Sequence, residues 1–195
     1  VDYDFFKANK NIDKSLILES EFKIYNYQFV FCYSGSLGGI YQLEEMLNFF
    51  LNVNKIYKNT FFIFFTQNIE ILKKELTKKK YLNIKNNIKY KALERNDLPR
   101  YISVCDAMIY FIKPTFSKKA SCPTKLGESL SLGIPVITNN GIGDIEDLFT
   151  KIKPGLLLNE ISSNSFKHFI ENIEFLRNIK GVELREKSKI FFDLK

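Results

Sequence analysis

Lys125 and Glu128, three residues apart, mark the stretch in which this sequence concentrates its chemistry. A lysine offers a point charge to an anion, and a carboxylate offers acceptors to hydroxyl groups. Side chains at that spacing share one side of a helix. Further on, Asn139, Asn140, Gly141, Ile142 and Gly143 run up to Asp144. A glycine loop that opens a helix supplies free N–H groups suited to phosphate. The pattern points to recognition of an anion and of hydroxyls. Nucleophilic catalysis finds little material. His168 is the only histidine, which argues against a Ser-His or Cys-His triad, and the sequence shows no zinc-ligand spacing. Cys122 lies beside the stretch but has no histidine near it in sequence. Asp2 and Asp4 spell Asp-x-Asp, yet no strand precedes them to aim both carboxylates at a metal.

These residues need elements to hold them. Pro123 suits a first helical turn, with Leu126, Leu130 and Leu132 toward a core and Lys125 and Glu128 on the other side. Gly133 is expected to stop that helix as a left-handed cap. Residues 134–138 read as a short buried strand with Pro135 at its start. Further strands are expected at 29–33, 59–66, 88–92, 107–112 and 155–158. Helices are expected at 41–57, 69–80, 98–105, 145–151, 163–177 and 182–192. Strands alternate with helices and no hairpin signal appears. That predicts an α/β, Rossmann-like, doubly wound and mostly parallel sheet of about six strands with helices on both faces. Ligands of such sheets lie outside the carboxyl ends of the strands, at the point where strand order reverses. The loops after Tyr33, Lys91, Ile112 and Thr138 should meet there. In the first of them, Gly35 and Ser36 are either phosphate contacts or turn residues, the glycine needing a positive φ.

Composition narrows the field. The chain has 195 residues and a formal charge of +7, which fits one domain with a sizeable core. Its lysines fall in solvated runs such as 78–80 without regular aromatic interleaving, so nucleic acid is not indicated. Peripheral contact with an anionic membrane surface is compatible with the charge. Three cysteines, an odd number without close pairing, favour a reducing compartment. Cys32 and Cys105 read as core residues and His168 as a helix-surface residue. The apolar run 61–65 is a buried strand, far too short to cross a bilayer. Gly141 and Gly143 follow a strand, but Glu146 occupies the third glycine position of a dinucleotide fingerprint, where an acid would repel a pyrophosphate.

The segment 123–144, with Pro-Thr-Lys-Leu-Gly-Glu at 123–128 and Gly-Ile-Pro-Val-Ile at 133–137, resembles the donor-binding motif of retaining, family-4-like glycosyltransferases of the GT-B architecture. The likeness extends more weakly over residues 1–149, including the Val-Asp-x-x-x-Phe run at the start. It implies that residues 1–14 are an interdomain linker and 15–195 a donor-binding domain. The acceptor half would precede Val1. Glu128 would then bind the ribose hydroxyls of a nucleotide-sugar. Gly35, Ser36, Lys125 and Leu126 would face the diphosphate. Ala92 and Leu93 would flank the base, while Ala120, Asn140 and Gly141 would lie nearest the sugar. The family carries a second Glu eight residues before the first; Ala120 stands there in this sequence. The lysine or arginine common after the first glycine turn has no match at 38–41, and Lys125 is expected to supply that charge. No cofactor or metal is expected, the nucleotide-diphosphate sugar being the substrate. The resemblance also implies sugar transfer with retention, of a hexose and in making a surface polysaccharide or glycoconjugate. The setting would be cytoplasmic, at the inner face of the membrane, and the isolated domain would be inactive. A nucleotide-sugar epimerase of the same architecture and a non-catalytic binding or scaffold module remain alternatives.

Overall fold

A computed structural model describes residues 1–7, 12–117 and 124–194. Ala120, Cys122, Pro123 and the side chain of His168 lie outside what it describes. The first strand, β1 (Phe29–Ser34), is buried along its whole length. It pairs in parallel with β2 (Thr60–Phe65) on one side and β4 (Ala107–Ile109) on the other. With β3 (Ile88–Lys91), β5 (Val136–Asn139) and β6 (Gly155–Leu158) the sheet runs β3-β2-β1-β4-β5-β6, every pairing parallel. Unbroken apolar strands are what a sheet covered on both faces requires. Phe29, Phe31, Phe62 and Phe64 fill its interior without exposure.

Helices α2 (Leu43–Ile56), α6 (Ile145–Ile152) and α8 (Gly181–Phe192) match the expected ones closely. Helix α5 (Thr124–Ser131) begins where the Pro-Thr-Lys run was expected to start one, and Gly133 closes it at φ +74°. Five expectations need correction. Helix α1 (Lys14–Phe22) was not foreseen; Asp13 caps it by accepting from the Leu16 N–H at 3.0 Å, and Lys23 ends it in the left-handed region. The helix expected at 69–80 stops as α3 (Ile69–Glu75). The chain continues as 3-10 turns over Lys79–Asn87, which bury Tyr81 and let Lys80 reach Glu44 of α2 at 2.6 Å. The helix expected at 98–105 is the short α4 (Leu98–Ile102), and that expected at 163–177 ends as α7 (Ser163–Glu171) before a 3-10 turn.

The fifth correction concerns the strand expected at 107–112. Its last residues leave the sheet ladder and join the loop after β1. The Gln42 N–H donates to the Phe111 carbonyl at 2.9 Å, the Lys113 N–H donates to the Ile40 carbonyl at 2.8 Å, and Tyr41 bridges Ile112. This join spans the place where strand order reverses. A second brace comes from Asn139 at the end of β5. Its amide accepts from the Ile112 N–H at 2.8 Å and donates to the Ile112 carbonyl at 3.0 Å and the Asn140 carbonyl at 2.9 Å.

The ends of the chain meet on α5 and α8. The Val1 amine donates to the Phe192 carbonyl at 2.6 Å, and the Tyr3 hydroxyl donates to Ser188 at 2.8 Å. Arg185 of α8 donates to the carbonyls of Phe6 at 2.8 Å and Tyr3 at 2.6 Å, and also to that of Ser131 at the end of α5. Asp2 accepts from the Asp4 and Phe5 N–H groups at 2.9 and 3.0 Å, which employs its carboxylate in a local turn.

Asn139→Ala should strand the buried Ile112 main chain without partners. The expected cost is about 2–4 kcal/mol, since each buried unsatisfied group costs roughly 1–3 kcal/mol. Urea unfolding followed by circular dichroism measures it.

Candidate functional site

The buried cation of this fold sits at the strand-order reversal. Lys125 is 9% exposed although the sequence placed it opposite the helix's apolar face. Helix α5 is too short and too enclosed to have a solvated face. Its ammonium lies 3.9 Å from the Tyr41 ring centroid and 5.7 Å from that of Tyr33. It also rests against Gly35, where an added Cβ would be only 2.7 Å from Nζ. Gly35 has φ +130°, a conformation that side chains rarely adopt. The turn therefore needs glycine there, as the second of its two readings had it, and the cation occupies the space that a side chain would take. The Tyr33 hydroxyl donates to the Ser36 carbonyl, and burial pushes the Tyr33 phenol up, which keeps it a donor.

Glu128 lies one turn along α5, half-buried. Burial pushes its carboxyl above the usual range, opposed by the attraction of Lys125 and Arg95. Among the described residues its carboxylate accepts no hydrogen bond, and no acid forms an ion pair with Lys125. Arg95 follows β3 and spreads its guanidinium over Phe5 and Phe6, 5.7 and 6.0 Å from their centroids. This aromatic seat on the opening segment depends on residues ninety positions away, so no local pattern reveals it.

Beside Gly35 opens a cavity of about 190 Å³ lined by Gly35, Ser36, Thr66, Gln67, Asn68 and Leu93. It joins two groups of residues singled out separately in the sequence, the glycine turn and Leu93. Gln67 donates to the Leu93 carbonyl at 3.1 Å, and Asn68 accepts from the Leu37 N–H at 2.9 Å. Ala92 is exposed and is not among that cavity's lining residues. The Leu126 side chain is in the core, so only its main chain could face a ligand. Asn140 accepts from the Gly141 N–H, and Gly141, at φ +86°, packs near Pro114. That places the glycine loop beside the segment leaving β4. Phe116, in the loop before α5, is 91% exposed.

Chemically, the site presents a buried cation and a carboxylate that are without an ion-pair or hydrogen-bond partner among the described residues, the start of a helix and a small cavity with amide side chains. Such a set can bind a phosphorylated, hydroxyl-bearing compound.

No protein-family model and no curated protein matches the sequence. Solved structures do match its shape. The C-terminal domain of a glycosyl transferase group 1 family protein, LpcC, from Francisella tularensis superposes with a TM-score of 0.73 at 14% identity, each chain covered over 100% of its length. Anabaena Alr3699/HepE, solved with UDP-glucose, gives 0.74 at 14% identity, and WaaG, a glycosyltransferase involved in lipopolysaccharide biosynthesis, gives 0.72 at 17%. In each case 99% of this chain is covered, and it spans about half of the other, 52% and 51%. The chain therefore has the Rossmann-like fold seen in the C-terminal domains of glycosyltransferases.

Proposed function

We propose that this domain binds a nucleoside-diphosphate sugar and forms the donor-binding half of a retaining GT-B, family-4-like glycosyltransferase. One observation carries the reading: a buried ammonium, with no acid paired to it among the described residues, lies against a positive-φ glycine at the strand-order reversal. The fold shared with LpcC, and with Alr3699/HepE in its UDP-glucose complex, supports it.

In this reading Lys125 and the first N–H groups of α5 take the diphosphate. Glu128 accepts from the ribose hydroxyls. The cavity between Gly35 and Leu93 receives the base, with Gln67 and Asn68 at its wall. As the bond from the anomeric carbon to the diphosphate oxygen breaks, negative charge grows on the leaving oxygens. Lys125 and the helix start stabilise that charge in a site of low dielectric. They take the role that a divalent ion could otherwise fill, so a metal is not required by this scheme. Glu128 fixes the ribose and through it the position of the breaking bond. The acceptor side of the reaction belongs to a second domain, and this domain alone binds donor without transferring sugar. A hexosyl transfer in surface polysaccharide assembly, at the cytoplasmic face of a membrane, is the proposed setting, on the likeness to WaaG. Among the described residues no helix is long and apolar enough to cross a membrane.

The test is a thermal-shift panel of UDP-, GDP- and ADP-sugars. A donor at about a hundred times its Kd should add about 2.7 kcal/mol of stability. Lys125→Ala and Glu128→Ala should each abolish most of that response; an unchanged response in both would show the site to be elsewhere. Gly35→Ala should lose both ligand response and stability, by about 1–3 kcal/mol for the strained φ, as measured by urea unfolding.

Glu128 also gives a pH signature. Its folded-state pKa is raised by burial, so the contribution it makes to stability is present at low pH and is lost as pH rises through the raised value. Glu128→Gln should therefore melt higher than wild type at neutral pH. The difference should close as pH falls below the ordinary glutamate range, while the ligand response stays weak throughout.

A further inference from the structure

The contacts around Lys125 assign a role to a residue outside the charged set. We infer that Tyr41 is a positioning residue for Lys125: its ring face holds the ammonium over Gly35 in the place where a carboxylate would otherwise sit. The inference rests on the donor-site reading above and adds a specific determinant to it.

A lysine buried at a crevice needs something to compensate its lost hydration. An acid would do so, but it would neutralise the cation and compete with an incoming phosphate. An aromatic face attracts the ammonium through its quadrupole and leaves its formal charge intact. The Tyr41 centroid is 3.9 Å from Nζ, with Tyr33 behind at 5.7 Å, and the two rings meet edge to face at 5.9 Å and 70°. Neither ring is free to drift. The main chain at Tyr41 bridges Ile112 across the strand-order reversal, and the Tyr33 hydroxyl is bound to the Ser36 carbonyl. Because the Tyr41 hydroxyl takes no part in the contact with Nζ, phenylalanine should serve and an aliphatic side chain should not.

The domain with 13C-dimethylated lysines is compared by NMR as wild type, Tyr41→Phe and Tyr41→Met, the Lys125 signal being identified by its disappearance in Lys125→Met. UDP binding to the same unmethylated proteins is measured by calorimetry. The Lys125 methyl signal should be shifted upfield by the ring current in wild type and Tyr41→Phe, and should move toward the other lysines in Tyr41→Met. UDP affinity should stay within about twofold for Tyr41→Phe and fall about tenfold for Tyr41→Met, which corresponds to about 1.4 kcal/mol. An unshifted Lys125 signal in wild type overturns the role of Tyr41, whether or not Tyr41→Met folds. So does a folded Tyr41→Met that binds UDP as wild type does. A shifted signal in a wild type that binds none of the UDP-, GDP- or ADP-sugars overturns the donor site itself, and the positioning role with it. The two failures are thus told apart.

Discussion

Parallel hydrogen bonding on both edges of β1 is the constraint on which the arrangement at the carboxyl end depends. With β2 on one side and β4 on the other, the connections leave β1 and β4 in opposite directions. A gap must open between them, and neither outgoing loop can fill it without crossing to the other strand. Here they do reach across: the chain after β1 is tied to the chain after β4 by main-chain bonds at Gln42 and Lys113. That tie sets the floor on which Tyr41 and Gly35 stand. Helix α5 then arrives with Lys125 directed onto that floor.

Electrostatically the site is left incomplete by the described residues. Lys125 and Glu128 attract one another and Arg95 adds to the pull, yet burial still raises the Glu128 carboxyl. A fold selected only for stability would close Lys125 and Glu128 into an ion pair or replace both with apolar side chains. Keeping them apart and partly dehydrated costs free energy, which a ligand offering an anion and hydroxyls can offset. Departures from local optimality of this kind concentrate where proteins bind.

The sheet was legible because its strands are apolar runs: 29–33 and 61–65 admit no other assignment once covered by helices on both faces. Gly133 announced its cap and Gly35 its turn. Legibility failed where a residue's role depends on a distant partner. Tyr41 carries no signal in its own neighbourhood, since what matters is that Lys125, eighty-odd positions later, lands on its ring. Asn139 looked like the start of a flexible loop and is instead the brace of Ile112. Helix α1 was missed because its apolar residues Leu16, Ile17 and Leu18 are adjacent rather than periodic, with Phe22 alone one turn on, and its cap is a single Asp. The lysine run at 78–80 looked like a helix surface; it turns back because Tyr81 has a buried place to occupy beside α2.

Gly127 draws these threads to the back of α5. A Cβ there would lie 2.6 Å from Val1 and 2.9 Å from the Phe192 ring, so the helix and both ends of the described chain are in near contact through a residue without a side chain. Arg185 clamps the same three parts. Mechanically, α5 is a lever whose handle is gripped by residues 1–6 and 185–192 and whose working edge carries Lys125 and Glu128. Through these contacts, whatever holds residues 1–6 or 185–192 also holds the helix that carries Lys125 and Glu128.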